Sequence, residues 1–487
     1  MAAIDEIRKN RIKKLKAIQG AGFLAYPSKT RKTNKIIEAL KNFNKLIKRS
    51  KRIILAGRVV SQRVHGKITF VDIKDENDRI QCLFKSDKLG EKGYQFFLNN
   101  FDVGDFIEVQ GILFKTKKGE KTIEVSNYKM LAKSLLPLPE KWHGLKDIDE
   151  RFRKRYLDLI FNKEVKEKFI LRSRIIKEIR EFLEKNEFFE VETPILESIY
   201  GGAKAMPFKT HLNSLNIDLY LRVSPELYLK RLLVGGLEKI YEIGRCFRNE
   251  GMDRDHNPDF TMLEFYWAYA DYKDLMKFTE QLFRHLLKKI FNKTNIECGD
   301  KKIDFQYSYK RIEFLTLFKR YTKIDLEEIN VKALSEKAKN WGIKTEKGAD
   351  KAEIADAIYK KFCRPKIIEP TFIIHHPLGC FPLAKTLEKN PDKLANFQLV
   401  VNGIELINAF SELNNPIEQK KRFEEQEKSF KAGFKEAQRM DKDFIEAMEF
   451  GMPPSAGFGM GIDRLVALLT DSHSLREVIL FPTMRPK

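Results

Sequence analysis

No run of 18 or more apolar residues occurs in the 487-residue chain, and its first residues lack an apolar signal core. A membrane-spanning helix and a cleaved secretory signal are therefore not expected; the reading is of a cytoplasmic protein with no membrane partner. Cysteine is scarce. Cys82, Cys246, Cys298, Cys363 and Cys380 are scattered, odd in number and form no CxxC pair, which argues against a disulfide framework or a thiolate zinc site. Negative charge is also short, with 69 Asp and Glu against 91 Lys and Arg for a net charge of +22. Residues 1–50 hold 14 Lys or Arg and only 3 Asp or Glu, so half of that excess is concentrated there. A basic excess favours a polyanionic partner, usually nucleic acid, although a Lys-rich composition reaches the same sum without one.

What is present suggests two or three domains of a globular protein. Ile4, Ile7, Leu15 and Ile18 space an amphipathic basic helix that Gly20 and Gly22 end, and the segment from Lys29 to Arg49 stays basic and helix-compatible. Such helices are either solvated surface or a non-specific grip on phosphates. From Ile53 to about Leu131 the pattern becomes five short strands, Ile53–Val60, Ile68–Ile73, Ile80–Phe84, Phe106–Phe114 and Thr122–Tyr128, parted by Gly- or Asp-containing turns. Five strands in about 80 residues suggest a small barrel, most often an OB-fold reader of oligonucleotides. Pro137 and Pro139 open a linker. Apolar residues at 175, 176, 179, 182 and 183 then mark a helix over Arg172–Asn186. In LRVSPELYLKRLLVGG, Ser224 reads as the N-cap, Pro225 as the first helical position and Glu226 as a first-turn carboxylate. Residues from about 275 to 370 are mostly helix-patterned and Lys-rich, and carry no evident chemistry.

Three stretches carry charge where a fold alone would not ask for it. In Tyr241–Tyr272, two strands flank a polar loop, and Phe260, Met262, Glu264 and Tyr266 share one face of the second. A carboxylate among aromatics is costly to bury without a cation. Arg248 and Glu250 precede the Gly251 turn, and the plain structural reading is a hairpin with charges capping its solvent end. Around Asn402-Gly403, a two-residue hairpin sets Val400 opposite Glu405 and Gln398 opposite Ile407. Gln398 and Glu405 then lie diagonally on one face, within reach of a shared ion. Strict alternation puts Asn408, Phe410 and Glu412 on the other face unless a bulge intervenes. Last, Gly457, Gly459 and Gly461 in PPSAGFGMGIDRLVALL could form a phosphate-cradling loop before a helix that starts near Arg464.

FRNE, HNPDF and MLEFY resemble the second signature motif of class II aminoacyl-tRNA synthetases, and with their neighbours the lysyl-tRNA synthetase branch. FFEVETPIL with Pro194 resembles the first motif, with Glu187 where a Gly is usual, and PPSAGFGMGIDRLVALL the third. AGRV, GKITFVDI and DRIQCLF are similar to the anticodon-binding barrel of the aspartyl, asparaginyl and lysyl enzymes. The implied fold is multidomain α+β. A basic helical extension (1–50) leads to a five-stranded OB-fold barrel (51–135) and a linker (136–160). A class II catalytic domain (161–487) follows, an antiparallel sheet flanked by helices with a helical insertion at about 275–370.

The resemblance also implies roles. Arg248 and Arg464 serve catalysis. Arg248, Asn249, Glu250, His256, Asn257, Phe260, Glu405, Leu406, Gly461, Ile462, Asp463 and Arg464 contact ATP. Gly202, Glu226, Arg248, Glu264, Tyr266, Asn408, Phe410 and Glu412 surround L-lysine. Gln398, where the family carries Glu, and Glu405 hold Mg²⁺, and Arg63, Phe70 and Gln81 read the anticodon of tRNA(Lys). By itself Phe70 would more often be barrel core. The first motif implies a homodimer. An aspartyl- or asparaginyl-type enzyme, or a non-catalytic RNA-binding relative, shares much of this pattern.

Overall fold

The computed structural model describes residues 2–76, 78–139, 147–345, 349–431 and 438–486. The chain divides into two compact units, Met1–Lys146 and Asp147–Lys487.

In the first unit, strands Ile53–His65, Ile68–Lys74, Arg79–Lys85, Phe106–Lys115 and Lys121–Ala132 close a barrel in the order first, second, third, fifth, fourth. Period-2 alternation sends Val71, Ile73, Ile80, Cys82 and Phe84 inward. The helix Glu91–Asn100, which the strand pattern did not reveal, packs against this interior, with Phe97 stacked on Phe84 at 4.0 Å. The N-terminal helix runs over Ala2–Gly20 and buries Ile18 in the same core, joined by Ile36, Ala39 and Phe43 from two short helices. Arg11 is no free cation: its guanidinium donates to the carbonyls of Val103, Ser134 and Leu136 at 2.9–3.0 Å. Arg8, Lys9, Lys13 and Lys16 remain exposed.

In the second unit, eight strands make the central sheet. Across it they run Lys310–Glu313, Thr371–Ile374, Asn396–Val401, Ile404–Ser411, Ser455–Gly461, Asp259–Ala268, Lys239–Phe247 and Phe189–Glu190. All pairings are antiparallel except one parallel pair at each edge. Helices Lys163–Lys185 and Tyr272–Phe291 contribute apolar stripes (Ile175, Ile179, Phe182 and Leu183; Leu275, Leu282, Phe283 and Leu286) to the core on one sheet face. That face supplies Leu263, Phe265, Ile407, Ala409, Phe458 and Met460, with Phe265 stacked on Phe458 at 4.3 Å. Residues of opposite parity are left for the other face.

The linker expected over 136–160 lies partly outside the described residues, at 140–146. From 147 on it is helical, over Ile148–Arg153 and Arg155–Phe161, and belongs to the second unit. Arg155 is buried there against Asp158 at 2.7 Å and the carbonyls of Arg476 and Leu480. The stretch at 275–370 is more mixed than its helical pattern. It holds helices Phe314–Thr322, Val331–Asn340 and Lys351–Phe362, a small hairpin (Asn295–Cys298 with Lys301–Asp304), and the edge strand Lys310–Glu313.

Candidate active site

The opposite face of the sheet packs in part against Leu227, Leu229 and Phe444, and opens into a cavity of about 330 Å³ in the second unit. Its floor comes from register. Met262 pairs with Gly461, Glu264 with Gly459, Tyr266 with Gly457, and on the other side Asn408 with Gly459 and Phe410 with Gly457. The three glycines are therefore strand residues of Ser455–Gly461, not a phosphate-cradling loop. Their lack of side chains gives the neighbours room. A Cβ on Gly457 would stand 2.0 Å from Glu412 Oε1 and 2.6 Å from the Tyr266 ring, and one on Gly459 2.9 Å from Met262. Phe260, Met262, Glu264 and Tyr266 all line the cavity, as one strand face should.

The hairpin at Asn402-Gly403 has the expected turn but a different register. Val400 faces Glu405, yet Gln398 faces Asn408, with an irregularity between Leu399 and Val400. One extra residue on the second strand flips the alternation, so Glu405, Asn408 and Phe410 all line the cavity. That bulge settles which face they take.

At one end is an acidic socket. Glu264 is 3 % exposed; Ser224 Oγ donates to its Oε1 at 2.7 Å and the Tyr266 hydroxyl to its Oε2 at 3.1 Å. Burial, and then the charge of Glu226, push its carboxyl up to about 8. Glu226 opens the helix Glu226–Val234, and its N–H donates to Ser224 Oγ at 3.1 Å. The helix begins one residue later than expected, with Pro225 at the cap position, yet Ser224 still caps it: its hydroxyl accepts from the Glu226 N–H while donating to Glu264. Gly202 passes close by at φ +84°; a Cβ there would meet Glu226 and Ser224 at 2.9 Å. Glu412, 1 % exposed, stands just outside the cavity wall behind Tyr266 and Gly457, ion-paired with Lys230.

Toward the other end come the two arginines, with Arg248 near enough to Glu264 and to Arg464 for its charge to act on both. Arg248 follows the strand Lys239–Phe247; its guanidinium lies 5.0 Å from the Phe260 ring centroid, and its buried Nε has no hydrogen-bond partner among the described residues. Arg464, in the first turn of Ile462–Leu469, donates to the Glu405 carbonyl at 3.2 Å and to His256 Nε2 at 3.3 Å. Burial, with Arg364 and Arg248 nearby, holds the Arg464 guanidinium below its ordinary range. His256 Nδ1 faces Asp253 at 2.9 Å, and Asn257 Nδ2 donates to Asp259. Glu250, His256, Asn257, Leu406, Gly461 and Asp463 also border the cavity. Two residues implied for the nucleotide do not: Asn249, whose N–H donates to the Met206 carbonyl, and Ile462, whose side chain lies in the core. Asp463 is already engaged by Arg172 and the Thr261 N–H.

Among the described residues no group of three or more His, Cys, Asp or Glu is placed to hold a metal. Among those residues Gln398 Oε1 is nonetheless buried with no hydrogen-bond partner, and Glu405 lies on the same cavity wall, 3.3 Å from Arg364. One amide oxygen and one carboxylate fit a hard dication that takes its other ligands from phosphate and water.

In the barrel unit Arg63 pairs across strands with Phe70, and Asp72 with Gln81, so the three implied residues share the outer face. Phe70 is half-buried and outside the barrel core, contrary to the reading of it in isolation. Arg63 reaches Asp72 at 3.2 Å and Gln81 accepts from Thr122 at 3.0 Å.

Neither Lys230 nor the stretch before residue 370 carries chemistry that its sequence alone announces. Yet Asp356 and Lys360 from that stretch line the cavity and pair at 2.7 Å, and Arg364 holds Glu405. A signal existed: Glu226/Lys230 and Asp356/Lys360 are both i, i+4 pairs.

Residues 147–485 match the family described as tRNA synthetases class II (D, K and N), and residues 53–131 match the OB-fold nucleic acid binding domain. The chain is 48 % identical to the lysine–tRNA ligase of Carboxydothermus hydrogenoformans over 99 % of both chains. It is 48 % identical to that of Thermoanaerobacter sp. strain X514, over 99 % of this chain and 97 % of the relative. For the Roseiflexus sp. strain RS-1 lysine–tRNA ligase the identity is 45 % over 99 % of both.

Proposed function

The chain belongs to the lysine–tRNA ligase family of class II tRNA synthetases, and we propose that its cavity joins lysine to ATP and then to tRNA(Lys). In the first step a lysine carboxylate oxygen attacks the α-phosphorus, the bond to the β-phosphate oxygen breaks, and lysyl-adenylate and pyrophosphate form. In the second, a hydroxyl of the tRNA 3′-terminal adenosine attacks the adenylate carbonyl and AMP leaves. No side chain needs to act as nucleophile; alignment and charge neutralisation supply the catalysis. Arg248 lies between socket and nucleotide end, where a planar guanidinium can hold the lysine carboxylate and the α-phosphate together. Phe260 offers its face to adenine, and Arg464 takes the γ-phosphate end. Gln398 and Glu405 would hold a Mg²⁺ carried with ATP; when bound, the ion neutralises phosphate charge.

The observation that carries this reading is Glu264, a buried carboxylate met by two hydroxyls and a second carboxylate, beside Arg248. It suits an α-ammonium next to a carboxylate. Glu226 and Tyr266, with the Glu412 carboxylate behind them, suit the ε-ammonium. A socket of carboxylates opposes an aspartyl or asparaginyl substrate, whose side chain would need a donor. Exposed Phe189, Ile195 and Leu196 beside Pro194 support pairing of two copies through the first motif. The outer barrel face with Phe70 supports binding of an unstacked anticodon base.

Glu412→Gln tests the pocket. Lysine KM should rise on the order of thirtyfold or more while ATP KM stays within about threefold. An unchanged lysine KM refutes the assignment.

A further inference from the structure

Lys230 is 0 % exposed, and its ammonium sits between two buried carboxylates. It donates to Glu226 Oε1 at 2.6 Å and pairs with Glu412 Oε2. The Phe410 and Phe444 rings flank it at 5.6 and 6.0 Å. So dry a site tolerates a charge only when it is paired. The pairing uses one oxygen of each carboxylate; among the described residues Glu412 Oε1 is left buried with no hydrogen-bond partner, behind Gly457 and Tyr266, which line the cavity. Lys230 pairs with Glu226 and Glu412, while the third carboxylate of the socket, Glu264, meets only the Ser224 and Tyr266 hydroxyls; three carboxylates and one ammonium leave a formal charge of −2.

We propose that Lys230 is a positioning residue that determines specificity: it ties Glu226 to Glu412 and sets the socket's charge to match an amino acid with two ammonium groups. The inference rests on reading the cavity as a lysine site. A substrate with α- and ε-ammonium groups neutralises the remaining −2, while its carboxylate answers to Arg248. Without Lys230 the socket would carry three carboxylates against two ammonium groups, and Glu226 and Glu412 would share a proton that lysine must displace. The groups that face this cluster are Glu264 and Tyr266 from the strand Asp259–Ala268, and Arg248 beyond them. Glu197, with Arg222, Arg231 and Asp441, stands behind Glu264. None of these is a second ammonium. Burial raises both Glu226 and Glu412 even with Lys230 in place, and the two carboxylates outweigh burial to hold the Lys230 ammonium above its ordinary range.

The test replaces the charge and keeps the volume. Lys230→Met and Lys230→Gln are compared with the wild-type dimer or monomer as isolated. The readouts are lysine KM in ATP–pyrophosphate exchange and the protons released on lysine binding, from calorimetry at pH 7 in buffers of different ionisation enthalpy. The expected result is a lysine KM raised roughly tenfold to a hundredfold in both variants, with ATP KM little changed. Proton release should grow by about one per site, which a mere packing role would not produce. Unchanged lysine KM and proton release in a folded variant overturn the proposal. If neither variant folds, the wild type decides: release of up to about one proton, from Glu264, supports it, and about two protons overturn it. A wild type that shows no lysine-dependent exchange at all would instead bring down the reading of the cavity, so the two failures are distinguishable.

Discussion

Glu264 shows how a single residue couples burial to recognition. Its carboxyl, pushed up to about 8 by burial and by Glu226, holds a proton below that pH and cannot then attract an ammonium. The sign follows: lysine affinity should rise with pH. Lysine KM is expected to fall between pH 6 and 8, by up to about tenfold per unit for one proton, and to flatten above. Glu264→Gln should raise lysine KM and abolish the slope; a wild type flat over that range, or a variant with the same slope, would contradict this. The apolar run around Glu264 was legible in the sequence as a cost awaiting a partner. That the partner is two hydroxyls rather than a cation was not, because Ser224 comes from a distant segment.

At the scale of elements, the strand Ser455–Gly461 matters for what it omits. Gly457→Ala would drive a methyl into Glu412 and Tyr266 from a strand paired on both sides. Overpacking of this kind costs roughly 1–3 kcal/mol. The variant should melt lower than wild type, and lysine-dependent exchange should fall by on the order of a hundredfold, since both displaced groups belong to the socket. Gly461→Ala meets only the Arg464 stem, at 3.7 Å or more, and should change stability by less than about 1 kcal/mol. Equal destabilisation by both would refute this account. Alternation in 259–268 was readable from the sequence because every residue keeps its parity. The hairpin after Asn402 was half-readable: the turn residues announce it, but a bulge leaves no compositional mark, and its face could not be fixed without the register. Glycines at every second position are compatible with a loop or with a crowded strand, and only their neighbours distinguish the two.

For the whole molecule, the two units divide the work, and a change in one should touch only its own step. Phe70→Ala on the barrel is expected to weaken charging of tRNA(Lys) by roughly 1–3 kcal/mol of stacking, with lysine-dependent exchange unaffected. Loss of exchange would argue that Phe70 supports the fold instead. tRNA affinity should also fall with added salt, in proportion to the phosphates that Lys and Arg neutralise in the complex. The order of motifs made this division legible from sequence. The residues between about 275 and 370 were opaque because Asp356 and Lys360 reach the cavity, and Arg364 reaches Glu405, only through tertiary packing. The most direct measurement of the central claim is ATP–pyrophosphate exchange run with each amino acid in turn: the account predicts exchange with lysine at saturating rate and none with aspartate or asparagine. Exchange driven by either of those, or by no amino acid, would contradict it.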